Sequence, residues 1–175
     1  MNYAEIKYCD VANGPGVRTS LFVSGCSHHC PGCFNEQAWD FNFGQPFTQE
    51  TIDYIIDTLS FDAYQGLTLL GGEPFEYSNQ KGLLPLVRQV REVLPQKDIW
   101  CFTGFLFDKD IIENMCKKWK ETNELLSYID VLVDGRFVEE LKNLNLKFKG
   151  SENQRTILVN ESLKSGNVIL YDFDK

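Results

Sequence analysis

The 175 residues predict an α/β fold: an open, partial βα barrel built on a mostly parallel sheet. Three observations carry that prediction. Short apolar runs alternate with segments of helical period, which implies right-handed βαβ crossovers. Cysteines, glycines and an isolated aspartate follow the apolar runs, at the strand ends where parallel sheets gather ligands. The chain is also shorter than the roughly 250 residues of a complete eight-unit barrel, so only part of one can form.

Residues 19–24, T-S-L-F-V-S, make the first strand and end at Gly25. Ile52, Ile55, Ile56 and Leu59 then repeat at helical spacing behind Thr48, which with Thr51 offers a capped start near residues 47–50. Residues 66–70 form a second strand, closed by Gly71 and Gly72. Leu83, Leu86, Val87, Val90 and Leu94 mark a second helix that Pro95 stops. Residues 98–103 are a third strand, Ile112, Met115, Cys116 and Trp119 a third helix, and residues 128–133 a fourth strand ending at Asp134 and Gly135. Two further strands are expected at 156–159 and 168–171, and residues 141–153, rich in Lys, Asn and Gly, read as a loop. No repeat or linker interrupts the pattern, so residues 1–175 are expected to be one domain. The loops after the first four strands should share one rim.

Hydrophobic residues at 43% and charged residues at 24% are ordinary globular proportions. A formal charge of -8 repels phosphate backbones, which argues against nucleic acid as a partner. No segment approaches the roughly 20 apolar residues of a membrane span, and residues 1–9 do not read as a signal peptide. A cytoplasmic protein without a membrane partner is the expectation, and in that compartment six cysteines do not imply disulfides. Three of them, Cys26, Cys30 and Cys33, fall within eight residues, while Cys9, Cys101 and Cys116 are scattered and read as small buried hydrophobes.

The segment Cys26-Ser27-His28-His29-Cys30-Pro31-Gly32-Cys33 spaces its thiols as C-x3-C-x2-C. One loop so spaced can wrap an iron-sulfur cluster with three thiolates, leaving one iron open. The same spacing can serve a zinc site completed by His28, His29 or a distant cysteine. About forty residues later, Gly71, Gly72, Glu73 and Pro74 end an apolar run. Two glycines permit close backbone approach, and Glu73 adds a carboxylate able to receive an ammonium group. A side chain at either glycine is expected to obstruct a ligand while leaving the iron ligands intact. Taken alone, G-G-E-P reads as a strand-to-helix turn.

Together the two motifs resemble the radical S-adenosylmethionine superfamily. A closer likeness is to the activating proteins of anaerobic ribonucleoside-triphosphate reductases. It rests on N-G-P-G-V-R at 13–18, the cysteine loop, D-V-L-V-D-G-R-F at 130–137 and K-G-S-E-N-Q-R at 149–155, and it covers nearly the whole chain. The wider superfamily often has an aromatic residue before the third cysteine. Here Gly32 precedes it and Phe34 follows, a departure that resembles the reductase activators.

The resemblance implies a [4Fe-4S] cluster on Cys26, Cys30 and Cys33 and S-adenosylmethionine as the second cofactor. It implies reductive cleavage of that cofactor and abstraction of a hydrogen atom from a glycine of the reductase. The implied partners are the glycyl-radical subunit of that reductase and a low-potential electron donor such as flavodoxin. Gly71, Gly72, Glu73 and Pro74 would bind the cofactor. Thr103 and Asp134 share the rim and either bind its ribose or methionine end or serve as turn residues. No acid–base pair is required. Asn13 to Gly16 reads as a turn near the rim, His28 and His29 as exposed spacers, and Arg18 and Arg155 as partners of a carboxylate, a protein surface or a structural acid.

Overall fold

The computed structural model describes residues 1–173. Four parallel strands form its centre: β2 (Val17–Val23), β4 (Tyr64–Gly71), β5 (Asp98–Phe102) and β6 (Val131–Asp134). Three antiparallel strands flank them, β1 (Asn2–Asp10) and β3 (Gln45–Pro46) on one side and β7 (Arg155–Leu158) on the other. The open sheet therefore runs β3-β1-β2-β4-β5-β6-β7. β1 reads poorly from sequence because only alternate residues are covered, with Glu5, Lys7 and Cys9 exposed.

Between the parallel strands lie α1 (Gln49–Leu59) and α2 (Tyr77–Val93). Thr48 and Thr51 close a reciprocal capping box at the start of α1, as the sequence predicts, and Ile52, Ile55 and Leu59 face inward. α2 starts six residues before its first expected apolar position. Its opening turns bury Asn79 and Gln80, whose amides hold backbone carbonyls, so the apolar period begins only at Leu83.

The expected third helix is not one helix. A π-helix (Phe107–Met115) runs into α3 (Cys116–Lys118), Trp119 is extended, and α4 (Lys120–Tyr128) follows. Tyr128 consequently ends a helix rather than opening a strand, and β6 begins at Val131. The expected strand at 168–171 is reduced to one bridge between Ile157 and Leu170, because α5 (Val159–Ser165) turns the chain first. Of the loop expected at 141–153, Leu141 ends a 3-10 helix (Glu139–Leu141), and the rest forms no helix or strand apart from an isolated bridge of Lys142 to Ser151.

One face of the sheet presents Leu21, Leu67, Leu69, Ile99 and Leu132 to the helices and forms the main core. The other face carries Trp100, Val131 and Val133 beneath Phe148 and Tyr171. Arg18 lies on this second face with no exposure. Its guanidinium donates to Thr68 Oγ1, Leu67 O, Pro15 O and Asp98, and sits 5.6 Å from the Trp100 ring. That resolves its role in favour of a structural acid. No helix among the described residues is long and apolar enough to cross a membrane.

Candidate iron-sulfur site

The cysteine loop leaves β2 and is pinned at its base by backbone bonds. Gly25 N donates to Ala38 O (2.8 Å) and Cys26 N to Trp39 O (3.1 Å), so residues 26–37 project as one closed loop. Cys33 N donates to Cys30 O (3.2 Å) and makes a turn over Pro31 and Gly32. Cys26 is buried at the base, Cys30 and Cys33 are half-buried above it, and all three thiols are free. Burial pushes the Cys26 thiol up to about 11 and raises Cys30 as well. A bound metal reverses that preference by demanding thiolate.

The ends of β4, β5 and β6 meet this loop around one cavity of about 490 Å³, whose wall includes Cys26, Cys30, Cys33, Glu73, Thr103 and Gly135. The expected common rim is present. Gly71 and Gly72 also line it, but the space they leave is filled by protein. Gly71 has φ +108°, and a Cβ there would lie 2.6 Å from Val23 N. One on Gly72 would lie 2.6 Å from Gly25 O and 2.9 Å from Ala38 O. Gly71 packs on the backbone of β2 at Phe22 and Val23, and Gly72 on the base of the cysteine loop at Gly25 and Ala38. A side chain at either position would therefore meet protein backbone as well as any ligand in the cavity.

Glu73 is 1% exposed, and its carboxylate is fully used. Oε1 accepts from Phe75 N (2.8 Å) and Thr103 Oγ1 (2.7 Å), and Oε2 from Gly104 N (2.7 Å) and His28 Nε2 (3.1 Å). A carboxylate offers about four acceptor sites, so an incoming ammonium group would displace one of these donors. Glu73 thus joins three rim loops. Thr103 lines the cavity, yet its hydroxyl is committed to Glu73 and accepts from Phe105 N.

Two expected site residues stand back from the cavity. Pro74 is buried behind Glu73. Asp134, with no exposure, accepts from Arg155 and from Phe107 N (2.8 Å), and Arg155 also holds Asp108. Neither is among the residues lining the cavity. Arg155, like Arg18, serves structural acids, and the Asp108 carboxyl is held below its ordinary value by this hydrogen bond.

His28 is not an exposed spacer. Its side chain is 4% exposed, bonded to Glu73 and packed edge-on against Phe105 at 4.3 Å. His29 is exposed but stacks on Trp39 at 4.6 Å. Both imidazoles are therefore occupied, which weakens a zinc site completed by either one. Among the described residues no three His, Cys, Asp or Glu side chains stand close enough to hold a single ion. Cys26, Cys30 and Cys33 all line the cavity, and a multi-iron cluster takes such thiolates on separate irons. Of the scattered cysteines, Cys101 is buried as expected, whereas Cys9 is exposed, with its Sγ 3.2 Å from Tyr64 Oη.

Asn79 is a supporting residue that sequence reading missed. Its Nδ2 donates to Ser24 O and Glu73 O, fastening α2 to both the cysteine loop and the β4 loop. The available signal was an amide placed next to Gln80 at the start of an otherwise apolar helical face.

Residues 12–157 match the family model described as a 4Fe-4S single cluster domain. Over 156 residues the chain is 43% identical to the anaerobic ribonucleoside-triphosphate reductase-activating protein of Escherichia coli K12, covering 88% of this chain and 96% of that protein. It is 42% identical over 155 residues to the protein of the same name from Enterobacteria phage T4, covering 89% and 92%. The same-named protein of Pasteurella multocida is 38% identical over 156 residues, covering 88% and 95%. These likenesses span the cysteine loop and the strand ends that surround it, and the chain belongs to the anaerobic ribonucleoside-triphosphate reductase-activating protein family.

Proposed function

We propose that this protein is a radical S-adenosylmethionine activase that generates a glycyl radical on an anaerobic ribonucleoside-triphosphate reductase. The observation that carries this reading is the convergence of Cys26, Cys30 and Cys33 with the ends of β4, β5 and β6 on one cavity. The relatives' names supply the target. A [4Fe-4S] cluster held there would supply the single electron for reductive cleavage of S-adenosylmethionine, and with it the hydrogen-atom abstraction from the α carbon of the reductase glycine.

The chain's own contribution is binding, orientation and exclusion of water. Cys26, Cys30 and Cys33 would hold the cluster through three thiolates, one fewer than a four-iron cluster can take, which would leave room for S-adenosylmethionine. Gly71 and Gly72 present backbone beside that end. Glu73, with Pro74 behind it, acts by positioning, since its acceptor sites hold the neighbouring loops. Thr103 orients Glu73, and Asp134 anchors the turn at Gly135 through Arg155.

In this reading residues 1–175 are one radical S-adenosylmethionine domain, and the open sheet is a partial βα barrel whose uncovered mouth admits a peptide loop. The partners are the glycyl-radical subunit and a low-potential donor such as flavodoxin. A charge of -8 disfavours nucleic acid, and we assign the protein to the cytoplasm, where free thiols stay reduced.

The test is paramagnetic resonance on reduced, reconstituted protein mixed with S-adenosylmethionine and the reductase. A carbon-centred doublet should appear and should collapse when the reductase glycines carry deuterium at the α carbon. Cleavage of S-adenosylmethionine without a radical on the reductase would point to another glycyl-radical enzyme or a free substrate.

A further inference from the structure

A second surface beside the cysteine loop has no role in the reading above. Residues 117–120 read K-K-W-K in a chain of net charge -8. Lys117, Lys118 and Lys120 are exposed, as is Lys81 on the neighbouring α2, and none of the four is ion-paired among the described residues. Trp119 stacks on Tyr77 at 4.9 Å, with Lys118 Nζ 4.5 Å from the Trp119 ring and Lys81 Nζ 5.5 Å from the Tyr77 ring. Of the nearby acids, Glu121 meets Tyr77 Oη at 3.5 Å, Asp110 accepts from Leu106 N, and Glu113 is exposed one turn before Lys117.

Two routes join this surface to the cluster loop. Tyr77 follows Glu76, whose Oε1 accepts from Ser27 N at 2.9 Å, directly after Cys26. Trp119 and Lys118 also line a cavity of about 380 Å³ that Phe105 lines as well, and Phe105 packs on His28 between Cys26 and Cys30. That second cavity shares no lining residue with the cysteine-lined one.

We propose that the surface formed by Tyr77, Lys81, Lys117, Lys118, Trp119 and Lys120 docks an acidic one-electron carrier protein that reduces the cluster. The inference rests on the proposed cluster, which must be reduced before each turnover. The carrier loses one electron and the cluster gains one; no bond is made or broken. Exposed lysines around a flat aromatic pair attract an acidic partner and fix its orientation.

The experiment uses reconstituted protein with reduced flavodoxin as the probe and dithionite as a small-molecule control. In Lys117→Gln/Lys118→Gln/Lys120→Gln, bleaching of the cluster absorbance by flavodoxin should slow about tenfold at low salt and lose most of its salt dependence. Calorimetry should show a matching loss of affinity for oxidised flavodoxin, while dithionite reduction and dithionite-driven cleavage stay unchanged. A flavodoxin rate within about twofold of the parent at low salt would overturn the proposal. So would equal slowing with dithionite, failure of both flavodoxin and ferredoxin to reduce the parent, or lost reductase binding with flavodoxin reduction intact, which would assign the patch to the reductase. Failure of the proposed function has a different signature: the parent is reduced normally yet cleaves no S-adenosylmethionine.

Discussion

Three thiols on one short loop differ from the scattered three in what surrounds them. Cys26, Cys30 and Cys33 line a cavity, whereas Cys101 sits in the core with no exposure and Cys9 lies on an outer strand. Replacing Cys26, Cys30 or Cys33 with Ala should therefore abolish iron-dependent colour after anaerobic reconstitution while leaving the melting temperature of the metal-free chain nearly unchanged. Cys9→Ala should keep full colour. Cys101→Ala should also keep it, at a stability cost of about 1 kcal/mol for the small void. Full iron content in Cys30→Ala, measured per chain, would remove that residue from the ligand set. Glu73 carries the complementary lesson. Its motif is legible in sequence, but its four hydrogen bonds come from positions 28, 75, 103 and 104, and no local pattern predicts that the carboxylate is already saturated.

At the level of elements, the end of β4 and the base of the cysteine loop behave as one unit. Gly72 N donates to Val23 O and Glu73 N to Gly25 O, and Asn79 of α2 bridges the two segments. Gly72→Val places its side chain against the carbonyls of Gly25 and Ala38, neither of which can yield without moving Cys26. We expect this variant to lose cluster colour together with S-adenosylmethionine binding, read by absorbance and calorimetry. Persistence of full colour with binding alone lost would show that the loop base tolerates the displacement and that the glycine serves the ligand. The break at Trp119 belongs to the same scale. Helical spacing of Ile112, Met115, Cys116 and Trp119 predicts one helix, yet the π-helix widens its turn and stacking on Tyr77 holds Trp119 extended.

For the molecule as a whole, the core and the site are separable. The main hydrophobic cluster draws on β2, β4, β5, β6 and the helices, and no residue between 26 and 39 belongs to it. Iron removal by a chelator under reducing conditions should consequently leave the far-ultraviolet circular dichroism unchanged and a cooperative thermal transition intact. Small metal domains that lack such a core unfold when stripped, and unfolding of this chain on chelation would show that the cluster is part of its scaffold.

The alternation of strands and helices, the Thr48 cap, the cysteine set and the rim to which the strand ends contribute can all be read along the chain. Each of these is written in local spacing: period 2 or 3.6, a threonine three residues ahead of its partner, three thiols in eight residues. It takes the folded chain to show that Gly71 and Gly72 make room for backbone, that His28 is buried on Glu73, that Asp134 and Arg155 hold each other away from the cavity, and that β1 completes the sheet beside β2. Those outcomes depend on which atoms approach across tens of residues of chain. Packing and hydrogen-bond saturation settle them, and neither leaves a periodic mark in the sequence.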